Sequence, residues 1–305
     1  MEKQKKDIRF VVMTGGPCAG KTTAVEALKI MYEGEGYTVL NVPEVASLLI
    51  GMGFIPNKNV PGDTFQKDLY HVQSFLENLV RKRAKETIKN DRIAIIFDRG
   101  ILDNRAYTEF ETFQTFIDED NLTIDTIIDM YHQIYHLVSI AYDKPQEYSN
   151  NKTRFESPEE ARRVELNTRR AWGDISKKIM IGNRGSLEDK IEDVANLELK
   201  QIQENTKTVI LRDPNLQQIV NDANVIWRKA EDHIGESKSY ILSRDEHSYK
   251  LTIDTNTGMV SLSMGKDTEV PEWIGSYYEP EKERKLVYLG PKKTKNDYIK
   301  QAKAA

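Results

Sequence analysis

The chain has 305 residues, 39% of them hydrophobic and 30% charged. That length fits two domains better than one, and the composition supports a packed core rather than wholesale disorder. Lys plus Arg total 44 against 48 for Asp plus Glu, a formal net charge of −4, which argues against a general polyanion binder, so no nucleic-acid partner is expected. The single cysteine, Cys18, excludes an intrachain disulfide and a thiolate-rich zinc site, and the histidines show no ligand spacing. The apolar run at 10–13 is too short for a signal peptide. No apolar segment approaches the roughly 20 residues that span a bilayer, so a cytoplasmic protein without a transmembrane segment is expected.

Residues 8–14 read as a strand buried on both faces. Ala24, Val25, Leu28, Met31 and Tyr32 predict a helix over 21–33, stopped at Gly34 and Gly36. A second strand covers 38–42 and closes at Pro43. Leu69, Val72, Leu76 and Leu79 share one face of a long helix over 65–88, with Gln66, Gln73 and Glu77 beside them. Residues 93–97 form the clearest buried strand, and further strands are predicted over 135–141 and 178–181. Between those two, Ser157-Pro158-Glu159-Glu160 is a capping box with proline at the first helical position, starting a helix to about 172. A last helix over 186–203 starts at Ser186 and Glu188. This alternation predicts an α/β fold, a doubly wound parallel sheet, over 1–205. The rhythm stops there. A helix over 215–234 and antiparallel strands over 240–264, with a hairpin turn at Thr255-Asn256-Thr257-Gly258, predict a small C-terminal α+β appendage over 206–305 of unknown function. The mixed charges at 279–285 read as a solvated linker. Lys292, Lys293, Lys295, Lys300 and Lys303 read as a soluble tail or as a phosphate or lipid contact.

Gly15-Gly16-Pro17-Cys18-Ala19-Gly20-Lys21-Thr22 fits G-x-x-x-x-G-K-[ST] between a buried strand and an amphipathic helix. There the glycines let the backbone curl around phosphate oxygens, and successive N–H groups face the anion, extending to Thr23 in the helix's first turn. Lys21 brings a positive charge to the β- and γ-phosphates, and the Thr22 hydroxyl can ligate Mg²⁺. Asp98 follows the 93–97 strand, on the same sheet edge as the phosphate loop, where it can hold Mg²⁺ directly or through water. Arg99 follows it, as a phosphate-side cation or a structural ion pair. Glu44 ends the second strand. It either accepts a proton from a substrate hydroxyl or orders a water, or else it forms a salt bridge or caps the 45–50 segment. Arg154, Arg162, Arg163, Arg169 and Arg170 crowd the segment where kinase-like P-loop proteins carry a lid whose arginines stabilise the moving phosphoryl group. Arg154 and Arg162 are the candidates taken from it. Gln73 reads either as a core-flanking polar residue or as a contact to a base or acceptor edge.

Several segments together resemble the P-loop family that includes the kinase domain of NadR and the TRPL-translocation-defect proteins. They are the phosphate loop through Thr23, Val42-Pro43-Glu44, Phe97-Asp98-Arg99-Gly100, His136-Leu137-Val138, Asn150-Asn151-Lys152-Thr153-Arg154-Phe155-Glu156, Pro158-Glu159-Glu160-Ala161-Arg162, Arg170-Ala171-Trp172 and Ile181-Gly182-Asn183. Their order and spacing are closer to the TRPL-translocation-defect branch, over roughly 8–205. The resemblance implies a nucleotide-kinase-like fold that binds ATP or GTP with Mg²⁺. Lys21 and Thr22 would serve phosphates and metal, Asp98 the metal, and Arg154 the lid. Relatives in that branch are described as GTP- and phospholipid-binding trafficking factors with a C-terminal domain of the triphosphate-tunnel kind. The 206–305 segment is too short for that domain and lacks its alternating charged strands, so neither lipid binding nor a tunnel is carried over.

The expected activity is Mg²⁺-dependent phosphoryl transfer from ATP to a small-molecule acceptor. The alternative is a regulatory NTPase, binding ATP or GTP and acting through a protein or membrane partner. Asn151-Lys152-Thr153-Arg154 lacks the aspartate of the guanine-reading N/T-K-x-D step, so GTP selectivity has no support.

Overall fold

The computed structural model describes residues 6–148, 157–211, 224–227, 237–244, 246–254 and 260–270. In chain order the first part holds β1 (Asp7–Thr14), α1 (Lys21–Gly34), β2 (Thr38–Val42), α2 (Val45–Gly51), α3 (Gly62–Glu86), β3 (Arg92–Asp98), a 3-10 turn (Ile101–Ala106), α4 (Phe110–Glu119), α5 (Ile124–Asp129), β4 (Gln133–Leu137), α6 (Ile140–Asp143), α7 (Pro158–Trp172), β5 (Lys178–Ile181) and α8 (Leu187–Glu204). Its strands form one parallel sheet in the order β2-β3-β1-β4-β5.

The period-2 alternation of the strands explains the layering. Phe10 and Val12 of β1 pack on one side with Ile93, Ile95 and Phe97 of β3, against Tyr70, Phe113, Ile127 and Trp172 from the helices. Val11, Met13, Ala94 and Ile96 face the other way, against Ala24, Leu28, Tyr32, Ile191 and Val194 of α1 and α8. Because the strands are parallel, the segments after Thr14, Val42, Asp98, Leu137 and Ile181 leave from one edge, the place where open α/β sheets bind ligands.

Where the chain departs from its sequence pattern, local competition decides. The strand expected over 135–141 stops at Leu137, because the Ser139 hydroxyl accepts from Ala141 N and caps α6. At the start of α8, Asp189 rather than Glu188 completes the capping box with Ser186. On α3 the buried positions are Phe65, Tyr70, Gln73, Ser74, Glu77 and Ala84, while Leu79 is exposed. Gln73, Arg81 and Tyr131 donate to the Glu77 carboxylate, which makes the burial of that polar face affordable. The sequence reading gives no helices over 101–129, although Phe113, Phe116 and Ile117 of α4 fall at helical spacing on one buried face.

The second part is a five-stranded antiparallel sheet in the order β6 (Thr206–Leu211), β10 (Val260–Gly265), β9 (His247–Asp254), β8 (Ser237–Arg244), β7 (Asn224–Trp227). Its apolar face is a cluster of its own, with Leu211, Leu242, Tyr249, Leu251, Val260, Leu262 and Met264. The helix expected over 215–234 is overturned in its described portion, since 224–227 is strand β7, with Asn224 opposite Ser243. Val225, Ile226 and Trp227 suit a pleated surface once a partner strand is present. The remainder of that span, the 255–258 turn and the lysine-rich tail lie outside the described residues. This sheet meets the amino-terminal edge of the parallel one. Lys250 Nζ pairs with Glu35 Oε1 at 2.5 Å, His247 Nδ1 with Asp91 Oδ2 at 2.7 Å, and Ser248 N donates to Asp91 Oδ1 at 3.1 Å.

Candidate active site

The phosphate loop leaves β1 at Thr14 and enters α1 at Lys21. Two of its glycines have a positive φ as well as crowded surroundings. Gly15 has φ +131°, and a Cβ there would lie 2.0 Å from Leu137 O. Gly20 has φ +88°, with a Cβ position 2.6 Å from Leu187 Cδ1. As N-cap, Gly20 offers no side chain to α1, so the first-turn N–H groups keep their capacity for an anion. Pro17 and Ala19 are buried, Cys18 and Thr23 are half-buried, and Thr22 is exposed.

Lys21 is buried, and its Nζ donates to Gly15 O at 3.0 Å and Gly16 O at 2.9 Å. Burial lowers its pKa to about 8. The Arg99 charge acts in the same direction, against Glu44, Asp98 and Asp103. Asp98 stands opposite Met13 at the end of β3. Burial raises its pKa against the pull of Lys21, and its Oδ1 is buried with no hydrogen bond among the described residues.

Arg99 ties the site together. Its backbone is left-handed, φ 78°, held by Arg99 N donating to Met13 O at 3.0 Å and Gln73 Nε2 donating to Arg99 O at 3.0 Å. The guanidinium donates from Nε to Glu44 Oε1 at 2.7 Å and from a terminal nitrogen to Gly15 O at 3.3 Å, and lies 3.4 Å from Asp103 Oδ1. Glu44 also accepts from Ser47 Oγ at 2.6 Å. Burial opposes its ionisation, but Arg99 and Lys21 outweigh burial and hold its carboxyl at about 2. It occupies the N-cap position of α2 without a side-chain bond to the backbone of that helix.

Lys21, Glu44, Asp98 and Arg99 are therefore brought together. Arg162 is exposed on α7, its Cζ 5.8 Å from the Tyr142 ring centroid. Arg154 lies outside the described residues. Gln73 is buried and its Nε2 donates to Glu77 and to Arg99 O, the position of a core-flanking residue.

Two site carboxylates escaped the sequence reading. Asp103 is buried and accepts from Thr14 Oγ1, from Gly100 N at 2.8 Å and from Trp172 Nε1 at 3.3 Å. Glu165 is buried and accepts from Gly16 N at 2.8 Å. Its one sequence signal is a carboxylate on the stripe Ala161, Thr168, Trp172, the inner face of α7.

Among the described residues no group of three or more His, Cys, Asp or Glu could hold a metal ion. Mg²⁺ does not ask for such a group, since it keeps several waters and takes one or two protein oxygens beside substrate phosphates. The exposed Thr22 and the unpartnered Asp98 oxygen have the right donor chemistry for it. No helix among the described residues is long and apolar enough to cross a membrane.

No curated protein matches the chain. A family model described as AAA domain matches residues 10–190, a span that runs from β1 into α8 and takes in the phosphate loop, Glu44, the Asp98–Arg99 turn and the Glu165 helix. The chain belongs to that AAA-domain family, a nucleotide-binding protein of the P-loop NTPase type.

Proposed function

We propose that the chain is a Mg²⁺-dependent phosphotransferase that moves the γ-phosphoryl group of ATP to a hydroxyl of a small-molecule acceptor. The observation that carries this reading is Arg99, which joins Gly15 of the phosphate loop to the Glu44 carboxylate. A cation able to stabilise the moving phosphoryl group and a carboxylate able to receive an acceptor hydroxyl thus stand next to each other.

In this reading the loop N–H groups other than Gly16 N, which Glu165 engages, hold the phosphates together with Lys21, and Arg99 neutralises charge that develops on the equatorial oxygens. Mg²⁺, held through Thr22 and Asp98, supplies charge neutralisation at the phosphate oxygens. A carboxylate with a pKa of about 2 is a weak base, so Glu44 orients the acceptor hydroxyl more than it deprotonates it. A loose phosphoryl-transfer transition state asks for little more. The segment-by-segment likeness to the NadR kinase domain and the TRPL-translocation-defect proteins implies a nucleotide-kinase-like fold that binds ATP or GTP with Mg²⁺, which agrees with this reading and with the regulatory one alike. The apolar clusters on the parallel sheet draw only on residues before 205 and the third only on residues after it, which supports a division into a 1–205 catalytic unit and a 206–305 appendage.

The second reading, a regulatory nucleotide-binding protein that uses ATP or GTP, is favoured by the same Glu44–Arg99 pair, which leaves Glu44 a weak base. Incubation with γ-labelled ATP, Mg²⁺ and a panel of hydroxyl-bearing metabolites separates the two. Label on a metabolite supports the kinase, while release to water alone or retention on the nucleotide supports the regulator.

A further inference from the structure

The match to G-x-x-x-x-G-K-[ST] does not ask for a glycine at position 16, yet the structure does. A Cβ at Gly16 would lie 2.8 Å from Glu165 Oε2, 3.0 Å from Glu165 Cβ and 3.1 Å from Glu165 Cα, so the backbone of α7 rests directly on the first turn of the loop. The Glu165 carboxylate then takes three donors from three places: Gly16 N at 2.8 Å, Ser139 N at 3.2 Å and His136 Nε2 at 2.7 Å. The His136 Nδ1 is buried without a partner among the described residues, which assigns the ring as the Nε2–H tautomer, since an orphaned lone pair costs less than an orphaned N–H. Ser139 Oγ in turn donates to Pro17 O. The Gly16–Pro17 turn is therefore gripped through both its N–H and its C=O.

Two turns along the same helix, Trp172 Nε1 donates to Asp103, which also receives Gly100 N beside Asp98 and Arg99. One helix thus touches both halves of the site.

We infer that Glu165 is a positioning residue for nucleotide binding: it pre-orders the phosphate loop and sets its distance from the Asp98–Arg99 turn through α7. The inference rests on the nucleotide-binding reading of the loop. A loop held before the ligand arrives has less conformational freedom to lose on binding. Burial opposes the charge of Glu165, and its donors outweigh burial and hold the carboxyl below the usual range. A glutamine in its place presents an N–H₂ to at least one of these donors and releases part of the grip.

The test is isothermal titration of wild type, Glu165→Gln and Glu165→Asp with Mg²⁺ and a non-hydrolysable ATP analogue. Thermal melts and, where turnover is detected, a KM-against-kcat comparison accompany it. Glu165→Gln is expected to raise the nucleotide Kd at least tenfold in protein that still melts cooperatively, with Glu165→Asp, which keeps the charge, recovering part of the loss. A folded Glu165→Gln that binds within twofold of wild type overturns the inference. Wild type that binds no nucleotide overturns the functional reading instead. Should Glu165→Gln fail to fold, hydrogen exchange on nucleotide-free wild type decides: the Gly16 amide is expected to be protected, and exchange at the rate of an unstructured loop overturns the proposal.

Discussion

Glu44 and Arg99 meet at 2.7 Å because they leave two neighbouring strands in step. Val42 of β2 stands opposite Phe97 of β3, and each functional residue lies two positions further on. The parallel register thus places a carboxylate and a guanidinium side by side at the edge of the sheet, although 55 residues separate them.

This pair sets the first expectation. Glu44→Gln keeps the side-chain size and removes the charge that Arg99 engages. Nucleotide and Mg²⁺ affinity should stay within about twofold, while turnover falls by about 10–10²-fold, the scale of a lost charge-assisted hydrogen bond. Titration with the non-hydrolysable analogue paired with steady-state rates measures both. Unchanged turnover would remove Glu44 from the acceptor side and leave the regulatory reading as the better one.

Lys21 supplies a pH dependence. Its pKa in the free protein is lowered to about 8, and a bound polyphosphate favours the charged form, so the bound pKa lies higher. The bound state then holds more protons above pH 8, and nucleotide affinity should fall as pH rises from about 8. Calorimetry in buffers of different ionisation enthalpy should show proton uptake on binding at pH 8.5 and little at pH 6.5. Lys21→Ala should abolish that uptake and weaken binding at least tenfold, about 1.4 kcal/mol.

Asp98→Asn probes the metal. The substitution removes the carboxylate whose Oδ1 has no hydrogen bond among the described residues and leaves the volume unchanged. The Mg²⁺ concentration needed for half-maximal nucleotide binding should rise at least tenfold, with metal-free nucleotide binding altered much less. Equal Mg²⁺ dependence in wild type and variant would count against Asp98 as the metal's partner.

Truncation after residue 205 tests the division of the chain. Among the described residues the hydrogen bonds of Lys21 and Arg99 are made before that point, so the shorter chain should fold and bind nucleotide. It loses the Lys250–Glu35 and His247–Asp91 pairs and exposes the edge they cover. Its melting temperature should fall by about 2–4 °C for each 1 kcal/mol of docking lost. An insoluble product would show that the antiparallel sheet completes the core.

What the sequence determined by itself was whatever short-range chemistry dictates. The strand at 93–97, the capping box at Ser157 and Glu160, and the phosphate loop between a buried run and an amphipathic helix each depend on residues within a few positions of one another. Periodicity and cap chemistry therefore report them directly. Tertiary structure alone decided the rest. Asn224–Trp227 became a strand because β8 offered a partner. Gln73 became a buried brace because Glu77 and Arg99 O lay within reach. The grip of Glu165 on Gly16 spans 149 residues. In sequence, a carboxylate on a helix looks the same whether water or a buried N–H solvates it, and only the packing of α7 against the phosphate loop distinguishes the two.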